Sequence, residues 1–207
     1  MKPKYIAIEG GEGSGQSTML GMLKTVLSDS AVFVQEPGTT DLGMAAREIM
    51  FKRPFSKQAS ADTLHALMWG ARFDIMKNVV VPAIEAGIFV ASDRSLASSY
   101  AYNVWAQTDG GLEDVFQTMK DRLPILPDMT IFLDVDPDVG TRRASARNGV
   151  LKDGNHLDEM GLVFHRKVRE GYLRYLNGVP HITIDANLPL DDVKKEFLSA
   201  VQRYMAS

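Results

Sequence analysis

The sequence predicts an α/β fold in which a parallel β-sheet is covered by helices. Two observations support this fold: five short apolar runs alternate with longer segments of helical periodicity, and the runs are apolar on both faces. Ligands of such sheets bind beyond the carboxyl ends of the strands. Nearly all of the candidate site residues considered below follow a predicted strand, in agreement with this fold.

The elements of the amino-terminal half follow from apolar runs and turn residues. Residues 5–9 (YIAIE) form the first predicted strand, and the segment STMLGMLKTVLSD carries apolar residues at helical spacing. The second strand is 31–35, followed by a predicted loop at 36–43 (EPGTTDLG) with a Pro-Gly pair. A long helical pattern then runs from Ser60 to Gly87, with a kink or break expected at Pro82.

Three further strands complete the predicted sheet. They are residues 88–92 (IFVAS), 130–135 (TIFLDV) and 181–185 (HITID), and the last is followed by a closing helix, PLDDVKKEFLSAVQRYM. The 207 residues are expected to form a single domain, 1–207.

Composition narrows the functional classes. A net charge of −3 gives no electrostatic reason to expect nucleic acid as a partner. The absence of cysteine excludes disulfides and thiolate metal sites and suits a reducing cytosol, so a cytoplasmic location is expected. No apolar run approaches the length of a membrane span, and the four histidines are scattered, so neither a membrane nor zinc is expected.

The first strand ends in a glycine-rich loop, GGEGSGQST, which fits the phosphate-binding pattern G-x-x-x-x-G-K-[ST] except that Gln16 replaces lysine. Glycines let backbone N–H groups turn toward phosphate oxygens, and the following helix adds its positive end. The Ser17 hydroxyl can bind Mg²⁺. The residues predicted to bind ATP here are Gly10, Gly11, Glu12, Gly13, Ser14, Gly15, Gln16, Ser17 and Thr18.

Gln16 removes a positive charge from this loop. A charge-assisted hydrogen bond contributes roughly 1.5–3 kcal/mol against about 1 kcal/mol for a neutral one. If the difference acts on the transition state, the rate falls by about one order of magnitude or more. A glycine-rich turn without a ligand is the alternative, but its place between a strand and a helix favours nucleotide binding.

Several segments of the chain resemble the thymidylate kinase family in order and approximate spacing: YIAIEGGEGSGQST, EPGTTDLG, SDRSLASSYAYN, TIFLDVDPDVGTRRASAR, FHRKVREGYL and TIDANLPLDDV. The resemblance covers nearly the whole chain. It implies transfer of the ATP γ-phosphoryl to dTMP with Mg²⁺, giving dTDP for dTTP synthesis. It also implies a five-stranded parallel sheet, a mobile lid at about 142–160 and a homodimer.

Met68 and Arg72 lie one helical turn apart on the same face. The resemblance places the base over Met68, where the family usually has phenylalanine, and a phosphate on Arg72. The alternative is that Met68 belongs to a core stripe with Leu64 and Met76 while Arg72 is a surface charge.

Asp93 and Arg94 stand at a predicted strand end. Asp93 can hold the water shell of Mg²⁺. The resemblance makes Arg94 a catalytic residue that bridges the acceptor phosphate and the transferred group. The alternative is that Asp93 and Arg94 form a structural salt bridge. The resemblance adds Glu12, near the sugar and metal, as a catalytic residue, although it can also be a charge stabilised by the helix amino end. Gln16 is expected to act with it by a hydrogen bond to the phosphates. The other implied substrate contacts are Glu36, Pro37, Ser98, Ser99 and Tyr102.

A second positive charge is absent at Gln35, where the family usually has arginine. The lid offers compensation, because an arginine that closes over the phosphoryl group is worth ~10³–10⁵ in rate. As in the bacterial branch of the family, the phosphate loop has no arginine. The resemblance makes Arg147 the catalytic cation and places Arg143, Ala186 and Asn187 around adenine. A solvated basic helix face is the alternative.

Three functions therefore stand open. The first is thymidylate kinase. The second is a kinase for another or a 5-modified deoxypyrimidine monophosphate, since Met68, Ser95 and Ser99 alter the expected base pocket. The third is a catalytically impaired nucleotide-binding protein, which Gln16 and Gln35 favour.

Overall fold

A five-stranded parallel sheet forms the centre of the computed structural model, which describes residues 4–51, 58–148 and 160–206, without the side chains of 147 and 148. The strand order is β2-β3-β1-β4-β5, and every neighbouring pair is parallel. The strands are β1 (Tyr5–Gly10), β2 (Ala31–Gln35), β3 (Phe89–Asp93), β4 (Met129–Asp134) and β5 (His181–Asp185). The predicted sheet is confirmed, with strand ends displaced by one residue at most.

Helices connect the strands on both faces of the sheet. They are α1 (Gln16–Leu27), α2 (Asp41–Phe51), α3 (Ala61–Ile75, continuing through a π-helical turn, Met76–Val80, into Val81–Glu85), α4 (Leu96–Ser99, continuing as a π-helix, Tyr100–Ala106), α5 (Glu113–Lys120), α6 (Pro137–Asn148), α7 (Gly161–Leu176) and α8 (Leu190–Ala206). None of the helices in the described ranges combines the length and apolarity needed to span a membrane.

Two details of the predicted elements are corrected. The loop predicted at 36–43 is too long, because α2 begins at Asp41, where the Thr40 hydroxyl accepts the backbone N–H of Gly43 at 3.0 Å. The helix after Ser60 does not break at Pro82, because this residue lies in the first turn after the π-helical turn, where a missing N–H is tolerated, and the kink predicted there stays a prediction. Gly87, at φ 78°, follows the end of this helix as predicted.

Alternate residues of β1 pack on opposite faces of the sheet. Ile6 and Ile8 contact a core that includes Met19 of α1 and Phe197 of α8. Tyr5 lies in a second core with Ile75 of α3. Burial of both faces produces the three-layer arrangement predicted for a parallel sheet.

The fold brings the carboxyl ends of three adjacent strands, β1, β3 and β4, to one edge of the sheet. The glycine-rich loop follows β1, Asp93 ends β3, and Asp134 ends β4. The candidate site is therefore built at the position where parallel α/β sheets bind ligands.

Candidate active site

The glycine-rich loop has a backbone that only glycine adopts readily. Gly13 and Gly15 have φ values of 69° and 92°, in the left-handed region. A Cβ on Gly13 would lie 2.1 Å from the carbonyl oxygen of Gly140, and a Cβ on Gly140 would lie 2.2 Å from that of Glu12. The loop therefore packs directly on the first turns of α6, which fixes its shape.

Gln16 is tied to the strand that precedes the loop. Its side chain is 6% exposed, and its Nε2 donates to the carbonyl oxygen of Ile8 at 3.1 Å. The same oxygen accepts the backbone N–H of Arg94 at 3.0 Å. A hydrogen bond from Gln16 to a phosphate stays a prediction, since in this structure its amide nitrogen donates to the backbone. Ser17 and Thr18 are exposed at the start of α1.

Gln35 ends β2, and Asp93 ends the neighbouring strand β3. Gln35 Nε2 donates to Asp93 Oδ2 at 2.9 Å, so Gln35 orients the carboxylate without supplying a positive charge. A carboxylate and the Ser17 hydroxyl are oxygen donors of the kind that Mg²⁺ prefers, so the residues present fit the ion implied by the resemblance. Within the described ranges, no group of three or more His, Asp or Glu side chains forms a metal site.

Arg94 is held beside the loop in an unusual conformation, with φ 65°. Its Nη1 lies 3.0 Å from the carbonyl oxygen of Gly10, 3.1 Å from Ser98 Oγ and 3.1 Å from the Tyr172 hydroxyl. Its guanidinium also lies over the ring of Tyr102, 5.6 Å from the centroid. Burial alone would lower the pKa of Arg94, but neighbouring tyrosine and carboxylate groups raise it overall. Arg94 is therefore a fixed, permanent cation.

Glu9 is a buried carboxylate that the sequence reasoning missed. It is 0% exposed and accepts the backbone N–H groups of Ser95 at 2.8 Å and Ser98 at 3.1 Å, at the start of α4. The Ser98 hydroxyl also donates to it. Burial raises the pKa of Glu9, against the hydrogen bonds from Ser98 and the charge of Arg94. A glutamate at the end of an otherwise apolar strand was the signal available in the sequence.

Arg72 is a buried charge rather than a surface charge, so that alternative is wrong. It is 1% exposed, and its Nε lies 2.6 Å from Glu36 Oε2. Its Nη2 donates to Ser99 Oγ at 2.8 Å, while its buried Nη1 has no hydrogen-bond partner among the described residues. The Tyr5 hydroxyl donates to Glu36 Oε1 at 3.3 Å. An unpaired buried donor of this kind is suited to an acceptor atom on a ligand.

Comparison with known proteins decides the family. A family model described as Thymidylate kinase matches residues 8–197. The chain belongs to the thymidylate kinase family. A protein named thymidylate kinase from Alteromonas mediterranea is 31% identical over 213 residues, covering 100% of this chain and 92% of the relative. Proteins of the same name from Haemophilus ducreyi (34%; 99% and 96% covered) and Clostridium novyi (33%; 94% and 96% covered) are similar.

This thymidylate kinase family member places Met68 between apolar neighbours. Met68 is 7% exposed and packs with Met50 and Leu64, but not in the cluster of Met76, so the predicted core stripe is correct only in part. The sequence reasoning also missed Asn103, which is 5% exposed with a buried Nδ2 that has no partner among the described residues. It lies one turn after Ser99, which contacts Arg72.

Arg143, Ala186 and Asn187, which are predicted to surround adenine, lie close together in the structure. Arg143 Nη1 donates to the carbonyl oxygen of Ala186 at 2.7 Å, and Asn187 Oδ1 accepts the backbone N–H of Asp136 at 2.9 Å. Arg147 belongs to α6, but its side chain lies outside the described residues, as do lid residues 149–159. Their predicted roles stay predictions.

Proposed function

We propose that this chain transfers the γ-phosphoryl group of ATP to dTMP, giving ADP and dTDP. Membership of the thymidylate kinase family supports the reaction. The structural observation that carries the proposal is the position of Arg94, whose guanidinium contacts the carbonyl of Gly10 in the glycine-rich loop. A cation fixed beside the phosphate loop is what phosphoryl transfer requires, because catalysis consists of positioning and neutralising phosphates.

On the donor side, the loop N–H groups and the amino end of α1 would bind the phosphates of ATP. The N-cap of α1 is Gly15, whose positive φ turns the backbone into the helix. Ser17 and Asp93 would hold Mg²⁺, which when bound neutralises phosphate charge. Arg143 in the middle of α6, with Ala186 and Asn187 directly after β5, would contact adenine.

On the acceptor side, the buried donors of α3 and α4 support a ligand rich in hydrogen-bond acceptors. Arg72 Nη1 and Asn103 Nδ2 are both buried without a partner in the described part of the chain. Glu36 fixes the other edge of the Arg72 guanidinium through Nε at 2.6 Å. Carbonyl oxygens of a pyrimidine and phosphate oxygens are both suitable acceptors. Ser98, Ser99 and Tyr102 complete this proposed site on α4.

The transfer needs no protein base, because an oxygen of the acceptor phosphate is itself the nucleophile. Arg94 would neutralise the charge that develops between donor and acceptor, and Glu12 would approach the acceptor sugar. Glu9 is buried near Arg94 and is one of the carboxylates that raise the pKa of Arg94. Assignment to the bacterial branch, in which Arg147 is the catalytic cation, belongs to the same proposal.

A second candidate is a kinase for another or a 5-modified deoxypyrimidine monophosphate. Met68 favours it, because a flexible thioether buried against Met50 and Leu64 tolerates changes in base shape better than a stacked ring. A third candidate is an impaired nucleotide-binding protein. The hydrogen bonds of Gln16 to Ile8 and of Gln35 to Asp93 favour it, since both amides donate within the protein.

The test is phosphoryl transfer with ATP and Mg²⁺ to dTMP, dUMP, 5-hydroxymethyl-dUMP, UMP, dCMP and dGMP. We expect dTMP to be the best acceptor, with turnover greatly reduced but still measurable in Arg94→Met and unchanged in Arg203→Met, because Arg203 is exposed on α8. Preference for a modified pyrimidine supports the second candidate. ATP binding without turnover on any acceptor supports the third.

The homodimer and the cytoplasmic location expected from the sequence are also proposals. Sedimentation of the purified chain tests the first: a mass of twice 22.8 kDa supports a homodimer, and a mass of 22.8 kDa contradicts it.

A further inference from the structure

Tyr172 contacts both the glycine-rich loop and Arg94 through its hydroxyl. It lies on α7, more than 160 residues from the loop, and is 0% exposed. Its hydroxyl donates to the carbonyl oxygen of Gly10 at 2.9 Å and accepts from Arg94 Nη1 at 3.1 Å. It also lies 2.7 Å from Ser98 Oγ. One hydroxyl thus joins three elements of the site.

The position of this hydroxyl is fixed by close helix packing. A Cβ on Gly171 would lie 2.8 Å from Ala101 Cα and 2.9 Å from Trp105 Cβ, so α7 approaches α4 where only glycine fits. The Tyr172 ring packs against Phe132 at a centroid distance of 5.0 Å and edge-on to Tyr102 at 6.2 Å. A ring held on two sides has little freedom, so its hydroxyl presents a fixed contact.

The conformation of Arg94 is held by hydrogen bonds of this kind. Its backbone is left-handed, which is costly for a residue with a Cβ, and its Nη1 is bound by oxygens from the loop, α4 and α7. In all three contacts the donor atom is Nη1, so they fix one corner of the planar guanidinium. The orientation of that plane decides where the N–H groups of Nε and Nη2 point.

We propose that Tyr172 is a positioning residue for Arg94: its hydroxyl holds the guanidinium against Gly10, so that the remaining N–H groups meet the phosphates. The inference rests on the proposed function, because it assigns Arg94 to the phosphates. Burial raises the pKa of Tyr172 well above its ordinary value, so the hydroxyl keeps its proton at neutral pH and acts as a hydrogen-bonding group.

The test is Tyr172→Phe, which removes one oxygen and retains the ring packing. We expect kcat for dTMP to fall about ten- to hundredfold, the equivalent of losing a hydrogen bond to a charged group. The KM for ATP should change less than threefold. The matched control is Tyr100→Phe, which removes a hydroxyl that donates to Glu113 Oε1 at 2.9 Å. Among the residues that the structure describes, this hydroxyl forms no hydrogen bond with the glycine-rich loop, so its loss should leave kcat unchanged.

A double-mutant cycle separates positioning from a general structural role. In an Arg94→Met background, Tyr172→Phe should have no further effect on kcat. An equal fall in both backgrounds, or no fall in the presence of Arg94, would overturn the proposal.

Calorimetry with dTMP and with ATP on the same four proteins gives a readout that does not need turnover. Weaker binding of either ligand in Tyr172→Phe, only when Arg94 is present, supports positioning. Binding that weakens equally with and without Arg94 overturns it. Wild-type protein that binds nucleotide but transfers no phosphoryl group contradicts the proposed function instead.

Discussion

The ion pair between Glu36 and Arg72 gives the sharpest prediction about stability. The two side chains are 1% and 0% exposed, and Nε lies 2.6 Å from Oε2. Glu36→Gln removes the negative charge with almost no change in shape. The guanidinium of Arg72 would then be buried with only uncharged groups around it: the new glutamine carbonyl, Ser99 Oγ and the ring of Trp69, while its Nη1 already lacks a hydrogen-bond partner among the described residues.

Removing one partner of a buried pair costs about 3–5 kcal/mol of the free energy of unfolding, because the other charge is left uncompensated. The glutamine carbonyl still accepts the N–H of Nε, which returns about 1 kcal/mol. We therefore expect Glu36→Gln to destabilise the protein by roughly 2–4 kcal/mol.

The assay is urea unfolding at pH 7, followed by circular dichroism. Asp191→Asn is the matched control, because Asp191 is 93% exposed in its pair with Lys194 and its loss should cost less than about 0.5 kcal/mol. Adding Arg72→Met to Glu36→Gln should restore part of the stability by removing the orphaned charge. A Glu36→Gln effect no larger than that of the control would refute the reasoning.

Three further predictions follow from single residues. Gln16→Lys restores a charge at the phosphate loop, so calorimetry should show ATP binding tighter by about tenfold; no gain would mean that the site is built around glutamine. Burial and, secondarily, Arg72 lower the pKa of His65 to about 4. Because the unfolded value is about 6.5, protonation favours unfolding, so stability is complete above about pH 6.5 and falls by at most about 3 kcal/mol toward pH 4. Urea unfolding of His65→Asn should lack this dependence. Gly140→Ala should cost about 1–3 kcal/mol and weaken ATP binding, because its Cβ would lie 2.2 Å from a loop carbonyl oxygen. Gly21→Ala, with no atom within 4 Å, should instead stabilise by about 0.5–1 kcal/mol in the same unfolding assay.

The sheet could be predicted because each strand is a local pattern. Residues 5–9 and 181–185 are short apolar runs bounded by polar or turn residues, and such runs need no knowledge of distant partners. The start of α2 was missed because a helix cap depends on one hydrogen bond, from Gly43 N–H to Thr40. Turn-forming residues continue beyond Asp41 as far as Gly43, so the composition of this segment predicts a loop where α2 has already begun.

The positions of candidate residues that follow strand ends were predictable, but the contacts among these residues were not. The partners Glu36 and Arg72 are 36 residues apart, and Arg94 and Tyr172 are 78 apart. Local spacing carries no information about such pairs. For the same reason, nothing in the pattern around Gln16 indicated that its amide donates to Ile8.

The measurement that tests the central claim most directly is the yield of dTDP and ADP from purified wild-type protein with ATP, Mg²⁺ and dTMP. We expect equal amounts of the two products, formed at about 1 s⁻¹ or faster, because Arg94 supplies charge at a loop that lacks lysine. ATP binding without dTDP would contradict the claim, and it would show that a fixed arginine beside this loop does not compensate for Gln16.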